Sequence, residues 1–299
     1  MDRRGDGRAK GPASRVRGMP AKNERPLVSV IMLSTCVERA RRALEAVRSH
    51  TPAGLAHTTV SVNGGADGVP HSDAPGLLSP VADHVLLDPT AFSFSAHNNH
   101  AVREAEMWLG YTTAFLCFLN DDVIVRRGWL EDMLACYAQE DACAVGMKLV
   151  YPDYMDLAGR IQHCGVERGP FRTGAHRGVC ADPDSPPFSE PRWVRTWAVT
   201  GACLLVSSED FWTYGPFDKG YEDESQDTDL CMRLKHGTGS DCYVVQSNHC
   251  WHEELATRGP VTSASLVGGD PGESVDAMAV LTRRLRDTAR FIERWGSED

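Results

Sequence analysis

Residues 114–133 read AFLCFLNDDVIVRRGWLEDM, and this stretch decides the fold. AFLCFL carries no charged or amide side chain and no polar alternation, the pattern of a strand buried on both faces. Asn120, Asp121 and Asp122 follow at its end. From Trp129 the spacing becomes helical, with Met133 and Tyr137 on one side. A doubly buried strand running into a helix is half of a βαβ unit, so the flanking sequence is expected to repeat the pattern.

It does so in both directions. VSVIML (28–33) is a second buried strand, followed by Val37, Ala40, Leu44 and Val47 at helical spacing and by the strand TTVSVN (58–63). VADHVLLD (81–88) reads as a strand, Ala101, Ala105 and Trp108 as a helix, and ACAVGMKLV (142–150) as a strand. A helix over 223–236, a strand at YVVQ (243–246) and an amphipathic helix over 273–295 close the chain. The last carries Met278, Leu281, Leu285, Ile292 and Trp295. The expectation is an α/β fold with right-handed crossovers. Residues 168–193, rich in Pro, Gly and Asp without periodicity, read as a long loop and a candidate acceptor contact.

The boundaries follow from composition. Residues 1–25 form a basic tail, 26–260 one domain, and 261–299 a linker and helix packing on it. The tail is expected to be disordered, or else to touch anionic lipid. A net charge of -10 argues against nucleic-acid binding. The ten cysteines form no C-x-x-C pair, and several lie in apolar runs, so reduced core thiols in a cytoplasmic protein are expected. No apolar run approaches the roughly 20 residues that span a bilayer.

In an open parallel sheet, ligands bind beyond the carboxyl ends of the strands. Three polar groups fall there: Ser34 with Thr35, Asn63 with the glycines after it, and Asn120-Asp121-Asp122. Two adjacent carboxylates ending an apolar strand cost several kcal/mol each to desolvate unless compensated. A helix N-cap is one account, but Val123, Ile124 and Val125 separate the pair from the helix. A divalent metal shared with a diphosphate is the sharper one. In QDTDLCMRL, Asp227 and Asp229 fall in the first turn of a helix. One suits the helix dipole, and the other could serve as a general base. The run Glu222, Asp223, Glu224 reads as a solvated loop. His249 and His252 match no zinc-protease spacing, so a single imidazole completing a metal shell begun by Asp122 fits better than a protease, with a structural histidine as the alternative.

Taken in order, these segments resemble the family 2 glycosyltransferases with the GT-A fold, in particular the bacterial branch that includes rhamnosyltransferase-like enzymes. VSVIMLST, FSFSAHNNHAV, FLNDDVIVRRGWLEDM, GRIQHCGV, AVTGACLLVSSEDFWTYGPFD, QDTDLCMRL and HEELATRG carry the likeness across roughly residues 26–260. It implies a Rossmann-like mixed sheet, mostly parallel and flanked by helices. It also implies an inverting transferase that uses Mn2+ or Mg2+, a UDP- or dTDP-sugar and a carbohydrate-type acceptor. By the same likeness Asp122 and His252 would hold the metal and Asp227 would be the base. Asn98, Asn99, Asn120 and Asp121 would lie near the donor, and Gly201 beside the sugar or acceptor. Gln226 stands where the family has Glu, and Val62 where an acidic residue reads the base. A non-catalytic nucleotide-sugar-binding module is the alternative from another class. A nucleotidyltransferase would need an early glycine- and lysine-rich loop, and STCVERARR has no glycine.

Overall fold

A computed structural model describes residues 25–63, 72–169, 173–253 and 271–296. The basic tail before residue 25, the glycines after Asn63, the end of HEELATRG and the linker before residue 271 lie outside the described residues.

The central strand is β4 (Phe115–Asn120), as its uniform apolarity requires. It pairs in parallel with β1 (Val28–Ser34), which pairs with β2 (Ala56–Asn63), which pairs with β3 (His84–Asp88). On its other side β4 meets β11 (Cys203–Ser207) in antiparallel register. Beyond β11 come β6 (Ala144–Val150), β12 (Cys242–His252) and β10 (Trp193–Thr196). β5 (Val123–Ile124) and β7 (Ile161–His163) attach to β12 and β6, giving a ten-stranded sheet. Strands β1, β2, β3, β4, β6 and β12 run one way, so the sheet is mixed and mostly parallel.

Side-chain alternation divides the core into two layers. Val28, Val30, Met32, Cys117 and Leu119 face α1 (Val37–His50) and α4 (Trp129–Gln139), with Leu44, Val47, Trp129 and Met133 in that layer. Ile31, Leu116 and Phe118 face α3 (Phe94–Leu109), α6 (Ser208–Thr213) and α7 (Gln226–Thr238). Ser93 caps α3 by accepting from the Ala96 N–H at 3.3 Å, and Gly110 ends it at φ 71°. The short α2 (Ala74–Leu78) packs beside α1.

Several expectations change. YVVQ is the first part of an eleven-residue strand, so the His249–His252 segment lies in the sheet. Between Val245 and His249 the register of β12 against β6 shifts: Val245 pairs with Met147, and His249 with Lys148. Residues 168–193 are not one featureless loop. They hold the end of the hairpin β8 (Val166–Arg168) to β9 (Gly174–His176), and the turn α5 (Pro186–Ser189). Elements of three or four residues are too short to show a period. The buried Lys148 ammonium anchors this segment by donating to the carbonyls of Pro183 (2.8 Å) and Phe188 (3.0 Å). The closing helix, α8 (Pro271–Trp295), packs Phe291 and Trp295 onto Tyr221 and Met232.

Candidate active site

The parallel register aligns the ends of four strands. Ser34 is opposite Val62, Asn63 opposite Asp88, and Leu33 opposite Asn120. The predicted polar residues therefore converge on one sheet edge. Asp121 and Asp122 are only 4% and 5% exposed, so both carboxylates need compensation.

They receive it from different partners. The Ser34 hydroxyl donates to Asp121 Oδ2 at 2.5 Å, and Arg39 on α1 reaches the same oxygen at 3.1 Å. Burial nonetheless dominates and pushes the Asp121 carboxyl above the usual range. Asp122 moves the other way: burial would raise it, but His252 and Arg39 together outweigh that and hold it low. Neighbouring carboxyls thus differ in character because one faces a hydroxyl and a guanidinium, the other an imidazole.

Pairing of β5 with β12 creates the second environment. Val123 is opposite His252, and the Glu253 N–H donates to the Asp122 carbonyl at 3.0 Å. His252 Nε2 then lies 3.1 Å from Asp122 Oδ1. On the other side of the ring, Nδ1 is hydrogen-bonded to the Gln162 side-chain carbonyl. A carbonyl only accepts, so Nδ1 donates to Gln162 and Nε2 is the ring nitrogen turned toward the carboxylate. Asp122 Oδ1 is buried with no well-formed hydrogen bond. An imidazole nitrogen and a buried carboxylate oxygen facing each other suit a divalent cation, which would bind Nε2 in place of a proton, with Gln162 holding the ring from behind. Among the described residues no group of three His, Cys, Asp or Glu side chains converges on one metal position. Two such side chains would leave the remaining coordination positions of a cation open.

Across the cleft the 200–202 turn joins the same strand end. The Asn120 N–H donates to the Ala202 carbonyl at 3.0 Å, and the Gly201 N–H donates to Asp227 Oδ2 at 2.7 Å. The Thr228 N–H holds the other Asp227 oxygen at 2.7 Å. Gly201 is closely packed: a Cβ there would sit 3.0 Å from Phe94 Cζ, a tight contact, and 3.6 Å from Asp227 Oδ2, an ordinary one. The starts of α3 and α7 therefore meet at this turn. Asp229, left open as an alternative to Asp227, is fully buried elsewhere. It accepts from Arg233 (2.8 Å) and from the Trp295 indole (2.9 Å), which makes it the docking point of α8.

The other expected donor residues separate. Asn63 sits at the strand-end row, fully buried, its Oδ1 without a partner. Asn98 is buried and donates to the Phe94 carbonyl at 3.0 Å. Asn99 uses both ends of its amide on the Phe217 backbone, donating at 2.8 Å and accepting at 3.0 Å, so it braces α3 and does not face the cleft. The Glu222–Glu224 run, expected to be a solvated loop, has its backbone N–H groups bonded to Asp287 of α8. His249 leans on Arg126, whose Nη1 is 3.2 Å from Nδ1. Arg39, Gln162 and Phe94 belong to the site and were not anticipated. Phe94 and Gln162 lie within the FSFSAHNNHAV and GRIQHCGV segments, and Arg39 in the first turn of the helix that follows Ser34.

No known protein-family profile matches the chain. It is 31% identical over 188 residues to the O-antigen biosynthesis protein RfbC of Myxococcus xanthus, covering 62% of this chain and 13% of that protein. It is 30% identical over 179 residues to the uncharacterized protein y4gI of Sinorhizobium fredii (strain NBRC 101917 / NGR234), covering 58% of this chain and 18% of that protein. The chain thus spans less than a fifth of the length of these relatives. Among solved structures it resembles GalNAc-T7 with UDP, GalNAc and Mn2+, at TM-score 0.57 and 12% identity over 77% of this chain and 44% of that one. It also resembles the mannosyltransferase PcManGT of Pyrobaculum calidifontis in complex with GDP-Man and Mn2+, at TM-score 0.50 and 13% identity over 97% and 80%. The fold is the GT-A fold of glycosyltransferases.

Proposed function

We propose that this chain is an inverting glycosyltransferase that uses a divalent metal, Mn2+ or Mg2+, to move a sugar from a nucleotide-sugar donor to a carbohydrate-type hydroxyl. The observation that carries this reading is the Asp122–His252 pair, with Gln162 behind it, in a GT-A fold whose same strand end is tied at Asn120 to the turn that holds the Asp227 carboxylate. The RfbC likeness supports a role in surface-polysaccharide synthesis, and the motif order supports kinship with the rhamnosyltransferase-like branch.

In this reading Ser34, Asn63, Asn120 and Asp121 line the nucleoside side of a UDP- or dTDP-sugar, and Gly201 lies beside the transferred sugar. Asp122 and His252 would hold the metal, which when bound offsets charge on the departing diphosphate. Asp227 accepts the proton of the acceptor hydroxyl, and that oxygen attacks the anomeric carbon in line, inverting its configuration. The Thr228 N–H and hydroxyl hold Asp227 Oδ1 and the Gly201 N–H holds Oδ2, which keeps a second lone pair for the acceptor proton. We place the enzyme in the cytoplasm, with a lipid-linked acceptor at the membrane face as one setting. No helix among the described residues is long and apolar enough to cross a membrane.

The test is release of nucleoside diphosphate from UDP-, dTDP- and GDP-sugars, with Mn2+ or with EDTA. Wild type is compared with Asp122→Ala, His252→Ala and Asp227→Asn. The reading expects one donor to be turned over only with metal, Asp122→Ala and His252→Ala to lose donor affinity, and Asp227→Asn to keep affinity but lose turnover. Tight metal-dependent binding without turnover, for any donor and acceptor offered, would leave a nucleotide-sugar-binding module instead.

A further inference from the structure

The approach to Asp227 is built from outside the sheet. Asp287, on the inner face of α8, is 2% exposed. Its carboxylate accepts from three consecutive backbone N–H groups: Glu222 at 3.1 Å, Asp223 at 2.6 Å and Glu224 at 2.9 Å. Three successive N–H groups turned to one point form a concavity that demands an anion. Here the anion is internal.

The neighbouring contacts fasten the same segment. Arg290 pairs with Asp218 at 2.8 Å, Thr288 donates to Glu224 at 2.7 Å, and Arg284 lies 3.6 Å from Asp223. Tyr221 is buried between Met232, Phe291 and Trp295. Immediately after the clamped residues, Ser225 takes a left-handed turn at φ 68° and α7 begins. Asp227 is the second residue of that helix, three positions beyond Glu224. Chain geometry leaves little freedom between the clamp and the carboxylate.

We propose that Asp287 is a positioning residue for Asp227: by gathering the Glu222–Glu224 N–H groups, it makes α8 the brace that sets the direction from which the Asp227 carboxylate meets the acceptor hydroxyl. The proposal rests on Asp227 being the base. Asp287 touches neither donor nor acceptor, so its removal should leave donor binding alone and slow transfer. A misplacement on the order of 1 Å costs up to about a hundredfold in rate. All three N–H groups reach Oδ2, so in Asp287→Asn the amide oxygen can replace it, but without the charge and with –NH2 where Oδ1 meets Glu222. This isosteric change should loosen the segment less than Asp287→Ala.

The experiment compares full-length wild type, Asp287→Ala and Asp287→Asn in three measurements: kcat for transfer, the Kd of the donor with Mn2+, and hydrogen exchange of peptides across 218–229. The expected result is a fall in kcat of about tenfold or more, donor Kd within about twofold of wild type, and faster exchange confined to those peptides. If Asp287→Ala does not fold, the isosteric Asn variant carries the test. Unchanged kcat overturns the proposal, and so does a loss of kcat matched by an equal loss of donor affinity. If Asp227→Asn transfers at the wild-type rate, the base assignment fails and the positioning role with it. Faster exchange in Asp287→Asn would then still show the clamp itself, so the two failures are distinguishable.

Discussion

At the scale of single residues, the site turns on pairs of atoms whose needs only a third party can meet. Asp122 Oδ1 and His252 Nε2 face each other at 3.1 Å with Gln162 holding the far side of the ring. Gly201 is the counterpart on the other wall, where its missing side chain lets the turn close on Asp227. Gly201→Ala puts a methyl 3.0 Å from Phe94 Cζ, so the ring or the turn must shift by a few tenths of an ångström. We expect transfer to fall by about tenfold to a hundredfold with little change in Tm, measured by kcat and by thermal unfolding. These residues differed in legibility. Asp121 and Asp122 stood out because two carboxylates close an apolar strand, and Asp227 because it opens a helix. Which of Asp227 and Asp229 faced the cleft was not legible, because it depends on where Trp295 and Arg233 come to rest. Gln162 lies inside the GRIQHCGV segment of the likeness but nothing singles it out, since a lone amide on a three-residue strand has no pattern to interrupt.

Secondary-structure elements carry the next layer. The parallel strands β1, β2 and β4 were readable because each is a β-branched or apolar run buried on both faces. β11, inserted antiparallel between β4 and β6, was not placed, since CLLVS states burial but not direction. α8 is attached through few residues, and Trp295 both fills the Tyr221 cluster and donates to Asp229. Trp295→Ala should cost about 3 kcal/mol, read as a lower Tm and as early proteolysis within 271–296. Histidines inside these elements set a pH dependence. Burial and Arg126 hold His249 down to about 4, and burial holds His57 and the fully enclosed His163 below their ordinary value. An unfolded histidine takes up its proton near pH 6.5. Between there and pH 4 the unfolded chain binds more protons than the fold, so stability present at neutral pH is lost as pH falls. Tm should therefore drop from pH 7 to pH 5, with a shallower slope in His249→Gln.

For the whole molecule, the cysteines report on packing. All ten are free thiols, eight of them buried, with Cys180 exposed and Cys36 half-buried. Native protein should react with a small alkylating reagent at Cys180 first and Cys36 second, and at the other eight only after denaturation. Mass spectrometry of labelled peptides checks this, and early labelling of Cys203 or Cys250 would mean the core opens near the site. The fold class was legible because one element pattern repeats along the chain. The cleft was legible only as a set of strand ends, since sequence fixes which residues are polar there but not which pairs meet.

The register shift in β12 gives this cleft a phase. Val245 and Cys250 share one core layer although they are five positions apart, because residues 246–248 step out of the ladder and exchange odd for even. His252 lies on the cleft side for the same reason. Removing one residue from this step would return the strand to its original parity and, where the strand is pulled back by one, put Glu253 where His252 stands. Removing two would shorten the step yet leave the imidazole in place. Length variation at 246–248 is thus tolerated in twos, and a single deletion there would silence a site whose every side chain is still encoded.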